Sequence, residues 1–536
     1  MTLPKPLLII RILLYVLLSA GCTSFALAQQ QSPAQPIELP EFIVTGKEQI
    51  GIPGAAKLPP RRPAALSKTR LDSLNPIEKL PLPPLEEIPL PVYSNHVAYV
   101  PGYVSVGIGN YVTPDIEAGY SFRAGEYLVD MKGGYESSGG WVDHSDYSLW
   151  NAQVQTTYEA PDRFIVFGRS TTTARASIGS KNFSLFASPL HNSRSVVNYR
   201  LGVETVGRTG KYDFTASASW TGSEVETQLR PRISDGGLFG TIRFISGDDD
   251  ILAGGMIEAS LATNGSGYPL VSLGPIFKYQ HGPVEVLGTV GAQLGRGTTS
   301  ETRAAALVNG TVSWQASPVV TVGGGLRSGL RHTTITDLAA ENPYLSPDQM
   351  VDLPFDVVAV HGSFLYHPLT TFSVGVEGGF AKSNRDVVWV RSADTAMFLV
   401  DWQTLARTYL QGNTVWKPSP TDVLSADVTL NWTMLANANT APYTVPAKVS
   451  LSYFRTWNLA LRAGIQVVYC AGRYADTANV THLSGYTDVR ISADYNVGSN
   501  LTAVIRAQNL LGSTIFLWEG YKERTAFVRV GVDWRF

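Results

Sequence analysis

From about Val97 to the terminal Phe536, this chain repeats one short pattern. Segments of roughly ten residues alternate apolar and polar side chains, with turn residues between them. Successive side chains of a strand point to opposite faces, so a period of two writes two faces into one segment. In "LWNAQVQTTYEA", Trp150, Ala152, Val154 and Tyr158 fall on one face, opposite Asn151, Gln153, Gln155 and Thr157. In "LSADVTLNW", Leu424, Ala426, Val428, Leu430 and Trp432 oppose Ser425, Asp427, Thr429 and Asn431. "DVRISADY" sets Val489, Ile491, Ala493 and Tyr495 against Asp488, Arg490, Ser492 and Asp494. "YLVDMKGGY" sets Tyr127, Val129 and Met131 against Asp130 and Lys132. The last eleven residues, "AFVRVGVDWRF", keep Ala526, Val528, Val530, Val532, Trp534 and Phe536 on one face and Arg529, Asp533 and Arg535 on the other.

Charges that keep to one face over so many segments imply that the other face meets something oily. A midplane Arg or Lys facing lipid costs about 2–4 kcal/mol. A soluble sandwich also alternates, but with strands of about five or six residues, shorter than these. Charged residues make up 16% of the chain, below the quarter typical of soluble domains. After the first 28 residues no stretch reaches the ~18 apolar residues of a membrane helix. Only helices and closed barrels satisfy every backbone group in lipid. The fold class expected is therefore all-β, a transmembrane antiparallel β-barrel over residues 97–536.

Ten tight connections divide that region: "RAGE" at Arg123, "EAPDR" at Glu159, "GRTGK" at Gly207, "SGDDD" at Ser246, "QHGPV" at Gln280, "QASPV" at Gln315, "YHPLTT" at Tyr366, "WKPSPTD" at Trp416, "FRTWN" at Phe454 and "NVGSN" at Asn496. Nine have an aromatic at or just before them: Phe122, Tyr158, Phe244, Tyr279, Trp314, Tyr366, Trp416, Tyr453 and Tyr495. This is the pattern of an aromatic girdle at one membrane interface. Connections between them are mostly longer and polar, as at Ser177–Ser195, Arg331–Leu353 and Lys382–Asp401. Short turns belong to the periplasmic side of such a barrel and long loops to the outside. Ten pairs of strands, plus one strand near Val97–Asn110 and one at Thr525–Phe536, make about 22.

The N-terminal region is of other material. Lys5 and Arg11 precede a short apolar run, Ile12 to Ala20, and "ALA" at Ala26 to Ala28 suits signal cleavage, so residues 1–28 read as an export signal peptide. "SAGC", Ser19 to Cys22, is a rival processing site that would leave Cys22 lipidated. Cleavage after Ala28 leaves Cys470 alone, with no internal disulfide. Residues 29–96 form a Pro-rich leader. Thirteen prolines lie between Gln29 and Asn95, a composition that favours extended, disordered structure over a packed core. One island, "EFIVTG", reads as a strand: Glu41, Phe42, Ile43, Val44 and Thr45, ended by Gly46.

The end of the chain, "IRAQNLLGSTIFLWEGYKERTAFVRVGVDWRF" from Ile505, resembles the closing hairpin of TonB-dependent outer-membrane receptors. Asn509-Leu510-Leu511-Gly512 matches that family's Asn-Leu turn, and Gly520-Tyr521 its aromatic entry to the last strand. Trp534 and the terminal Phe536 resemble the C-terminal signal read by the barrel-assembly machinery. "EFIVTG" resembles the TonB box, a strand offered to TonB by addition to a sheet edge. The resemblance implies an outer-membrane location, lipid and TonB as partners, and uptake of a solute that the sequence does not identify. The chain departs from the family in one respect. Residues 47–96 are too few and too proline-rich for the folded plug that those receptors carry. A 22-stranded barrel is normally plugged. The leader, a separate plug protein or inward-folded long loops are the candidates to fill it.

No catalytic, cofactor or metal constellation is expected. The eight histidines show no metal-pair spacing, "HNSRS" at His191 reads as a polar loop, and "GDDD" at Gly247 as a solvated turn. A net charge of −2 gives no reason to expect nucleic acid. The lumen face mixes Arg243, Arg462, Arg490, Arg506 and Arg529 with Asp130, Asp427, Asp488 and Asp494, so no ion preference follows. Two other functions fit the same pattern: a structural or assembly barrel that docks envelope proteins without transport, and an ungated porin.

If Glu41–Gly46 pairs as an added strand, its backbone matters more than its side chains. Val44→Pro removes a ladder donor and should abolish binding of a residue 29–60 peptide to the TonB C-terminal domain. Val44→Ile should bind as the native peptide does. Equal affinity for the proline variant leaves the segment as plain leader.

Overall fold

The computed structural model describes residues 101–536, apart from 162–167, 190, 210, 229, 249, 264–266, 298–300, 347–348, 393–395 and 459. The signal, the leader and Glu41–Gly46 lie outside the described residues.

The alternating segments form one 22-stranded antiparallel sheet in which each strand pairs with the next. The sheet closes on itself. The first strand, Gly102–Gly109, pairs with the last, Phe527–Arg535, from Tyr103↔Arg535 to Gly109↔Arg529. The backbone N–H and C=O of Phe536 bond to those of Gly102, both at 3.0 Å. No edge is left for lipid to meet.

The outer surface is apolar along this seam. Val528, Val530, Val532, Trp534 and Phe536 are each more than 40% exposed. Trp534 lies 4.7 Å from the Phe536 ring, and Phe536 stacks on Tyr120. Between them, Arg529 turns into the lumen and pairs with Asp115. Several other lumen charges are similarly engaged: Arg243 with Glu258 at 3.6 Å, Arg490 with Asp488 at 2.6 Å, Arg506 with Asp494 at 2.5 Å. Arg462 lies over Phe454, and Asp130 accepts from Ser121.

All ten predicted tight connections fall at one end of the barrel. Seven are two residues long, as between Thr113–Ala124 and Tyr127–Ser138. The one at Glu159 is not tight: strand ends at Glu159 and Thr171 leave residues 160–170 between them. Near this end Phe244, Tyr279, Trp314, Trp416 and Tyr495 are exposed on the outer face, and Tyr127 stacks on Tyr158 at 4.8 Å.

At the other end two expected loops are largely strand. Strand Thr171–Ser184 continues into the expected loop at Ser177, and Phe372–Arg391 pairs with Phe398–Ser419 well past Lys382. Their β-branched and aromatic residues, such as Val387, Val388 and Trp389, keep the ladder going beyond the length that lipid requires. The connection Arg331–Leu353 is a long loop as expected, between strands Val320–Leu330 and Phe355–Leu369.

Glycines recur at one level of the wall. Gly288 pairs with Gly310, and Gly324, Gly362 and Gly378 pair in a row. Gly412 continues the lane on the next strand. These six alternate with outward residues such as Val312, Val322, Phe364, Val376 and Leu410, so they share the lipid face.

Val530 sits in mid-strand on that face, paired with Ile108 and Ile505. Val530→Arg should lose about 2–4 kcal/mol of barrel stability, while Asp533→Asn on the opposite face should lose little. Urea unfolding followed by heat-modifiable gel mobility measures both.

Candidate functional site

The loop after Leu330 does not stay in solvent. It turns into the mouth of the barrel and carries the one α-helix among the described residues, α1, Ile335–Glu341. "TITD" explains its start. Thr334 Oγ1 accepts from the Asp337 N–H at 3.0 Å, and Asp337 Oδ2 accepts from the Thr334 N–H at 3.1 Å, a reciprocal cap. Ile335 and Leu338 are buried, and Thr336 donates its N–H to the buried Asp235 on strand Arg230–Asp248.

A hydrophobic core forms around this helix. Its buried members include Ile335, Leu338, Leu345, Val351, Trp389, Phe398 and Tyr521, with Phe186, Tyr344, Tyr443 and Trp518 packed against them. Several loops contribute. Tyr344 stacks on Tyr521 at 3.5 Å, Trp518 lies 5.0 Å from Phe398, and Phe186 packs edge-on to Tyr521 at 5.1 Å. The small hairpin Phe516–Trp518 with Tyr521–Lys522 brings in the last loop. Tyr521 thus belongs to the mouth core, not to the entry of the last strand as the family resemblance implied. The barrel strand begins at Phe527 because Asn509 and Gly512 fold the intervening residues back. Asn509 Nδ2 donates to both Ser513 O and Arg524 O.

Ionic contacts fix both ends of the loop. Asp356 holds Arg327, Arg331 Nε at 3.0 Å and Ser383 Oγ at 2.8 Å. Arg331 also reaches Asp386 at 2.8 Å, and Asp386 takes Arg407 at 2.9 Å. At the far end Asp352 accepts from Arg303 at 2.9 Å and Arg385 at 2.7 Å. These aspartates are at most 5% exposed, yet each has two arginines, which offset the cost of burial. Burial alone would raise the Asp352 pKa, but hydrogen bonds from Arg303, Arg385 and the Leu353 N–H hold it below the usual carboxylate range.

Between the loop and the wall lies a cavity of about 730 Å³. Trp389, Trp518 and Tyr443 give it aromatic walls, and Arg331, Asp386, Glu341 and Arg473 charged ones. His332 borders it, edge-on to Phe239 at 5.0 Å, with neither ring nitrogen hydrogen-bonded. Burial pushes its pKa down to about 4, against a smaller opposing pull from Asp337. The arrangement suits a ligand that presents both an aromatic or apolar face and hydrogen-bonding groups. No group of three or more metal-ligating side chains exists among the described residues. His191 of "HNSRS" stacks on His144 at 4.3 Å in two neighbouring outer loops.

Sequence reasoning placed none of these mouth residues in a site. Trp534 and Phe536 lie instead at the opposite end, on the closing seam. The capping pattern Thr334-x-x-Asp337 before Leu338 was the one local signal of the helix.

No family model matches the chain, and no curated protein matches it. Solved structures do. It is similar to the copper transporter OprC at 13% identity, over 81% of this chain and 80% of that one, with a TM-score of 0.63. It is also similar to the FrpB iron transporter of Neisseria meningitidis at 9% identity, over 81% of each chain, TM-score 0.64. The ferric preacinetobactin receptor BauA of Acinetobacter baumannii matches at 10% identity, over 81% of this chain and 79% of that one, TM-score 0.64. At these identities the likeness is one of fold.

Two outcomes follow from the loop's anchoring. Asp356→Asn strips Arg327 and Arg331 of a shared carboxylate and should loosen the loop while the barrel stays closed. Chymotrypsin should then cut after Tyr344 several-fold faster, with heat-modifiable mobility unchanged. His332 has a folded pKa below its unfolded value, so protonation is taken up on unfolding. Its neutral form is accommodated above about pH 6.5, and loop stability should fall as pH drops from there toward 4. His332→Phe should flatten the same cleavage profile between pH 6.5 and 4.

Proposed function

We propose that this chain is an outer-membrane barrel that takes up a solute, in the manner of the TonB-dependent receptors its C-terminal hairpin resembles. One observation carries the reading: a 22-stranded barrel whose mouth is filled by its own anchored loops over a lined cavity. Barrels of this size enclose a plugged lumen, whereas an open pore needs no packed core in its mouth. The fold shared with copper and iron transporters and with a ferric preacinetobactin receptor supports the same assignment. In this reading the chain carries and does not catalyse. The short-turn end faces the periplasm, and Glu41–Gly46 recruits TonB.

Conductance in planar bilayers tests it. The intact barrel should pass little current. Replacing residues 335–344 by a Gly-Ser segment of equal length should give steady openings and raise cell permeability to large antibiotics. Steady, large conductance of the intact chain would make it a porin. Growth on candidate nutrients with and without the gene then measures uptake. Low conductance together with unchanged growth and capture of envelope proteins would favour the docking barrel.

A further inference from the structure

The arginines of the mouth are unequal. Arg303, Arg327, Arg331, Arg385, Arg391 and Arg407 each lie within ion-pair distance of an aspartate or glutamate. Arg194, on strand Ser193–Thr209, has no such partner among the described residues. Its side chain is 3% exposed. Nη1 donates to Pro343 O at 2.8 Å, Nη2 to Leu345 O at 2.7 Å and to Met397 Sδ at 3.7 Å, and Nε has no acceptor. A buried cation without a counter-charge is costly, so such sites normally acquire one.

A cavity of about 220 Å³ adjoins it, between the wall and the inward loop. Lys181 and Arg194 supply its charge, Asn198 and Ser346 its neutral polar groups, and Ala339 and Leu345 part of the loop side. Among the described residues no carboxylate lines it. The register explains the pairing of cations. Phe183 is opposite Arg194 and Lys181 opposite Val196, so both cations share one face of adjacent strands. Elsewhere the mouth is mixed. A cavity of about 400 Å³ that Arg194 also lines includes Asp146 and Glu226, one of about 370 Å³ that Lys181 also lines includes Glu136, Glu341 and Glu523, and the cavity of about 730 Å³ includes Asp337, Glu341 and Asp386.

We propose that the cavity between Lys181, Arg194 and the inward loop binds an oxyanion, a carboxylate or phosphate group carried by an incoming solute. The inference rests on the uptake reading for the origin of that solute. A guanidinium matches the geometry of carboxylate and phosphate oxygens, and charge-assisted bonds of this kind are about twice as strong as neutral ones. Arg473 provides a contrast. It is also buried and donates Nη2 to Phe516 O and Leu517 O, both at 2.9 Å, but it borders the cavity that carries carboxylates. It secures a loop beside Asp337, Glu341 and Asp386, whereas Arg194 also lines a cavity with no carboxylate among the described residues.

Calorimetric titration of the full chain in detergent with citrate and with inorganic phosphate tests the site, against chloride at matched ionic strength and glucose as a neutral control. At least one oxyanion should bind saturably. Arg194→Gln should weaken it about ten-fold or more, the loss expected for a charged hydrogen bond. Lys181→Gln should weaken it several-fold, and Arg473→Gln less than two-fold. Heat-modifiable mobility shows which variants retain the barrel, and Lys181→Gln carries the test if Arg194→Gln does not fold. No binding above chloride, or equal binding by folded Arg194→Gln or Lys181→Gln, overturns the site. Uptake that persists without oxyanion binding removes this inference alone. Binding without uptake supports the site and removes the uptake reading.

Discussion

A β-sheet in lipid has no solvent to satisfy its edges, so every backbone donor must find a carbonyl within the wall. The ladder from Tyr103↔Arg535 to Gly109↔Arg529 meets that demand and makes all other strands internal. Everything else follows from the circumference so fixed. Neighbouring strands must be antiparallel, so connections alternate between two ends. Side chains must alternate between lipid and lumen, so a register slip of one residue would turn Arg529 outward and Val530 inward. The seam is one of many equal ladders in geometry, but it is the one on which closure depends.

A wall of 22 strands encloses more space than its own inward side chains fill. The mouth solves this as a soluble protein would, with an apolar core, and α1 packs by burying Ile335 and Leu338. The difference is that the surroundings are polar barrel wall. The loop is therefore held at its ends by ions. Asp352 and Asp356 pair with arginines from several strands, so the loop's position is set by the wall and not only by its own turns. Two buried arginines, Arg194 and Arg473, add clasps onto loop carbonyls.

Much of the wall was legible because period-two alternation is local: each segment states its own faces, and each turn its own place. That sufficed for the strand number, for the end at which the tight turns gather and for the sidedness of Arg490 or Asp494. The strand ends were less legible, since the residues from Val387 to Trp389 form ladder as readily above a membrane as within it. The mouth was least legible. Tyr344 meets Tyr521 and Arg194 meets Pro343 across large sequence separations, and no window of the chain records such contacts. Loop residues read as polar because their apolar members, Ile335, Leu338, Tyr344 and Leu345, follow no strand period. The Thr334–Asp337 cap goes unread in a segment that reads as a long polar loop, and a cap locates only the start of a helix, not its burial place.

The glycine lane gives the wall an uneven stiffness. Cross-strand side-chain pairs are the unit that braces a sheet, and a glycine has none to offer on its face. From Gly288 to Gly412, six adjacent strands lack that bracing on the lipid side at one depth. The backbone ladder there is continuous but unsupported, like a crease across a sheet of card. Bending of the wall is therefore opposed by the fewest side chains of its own strands along this crease.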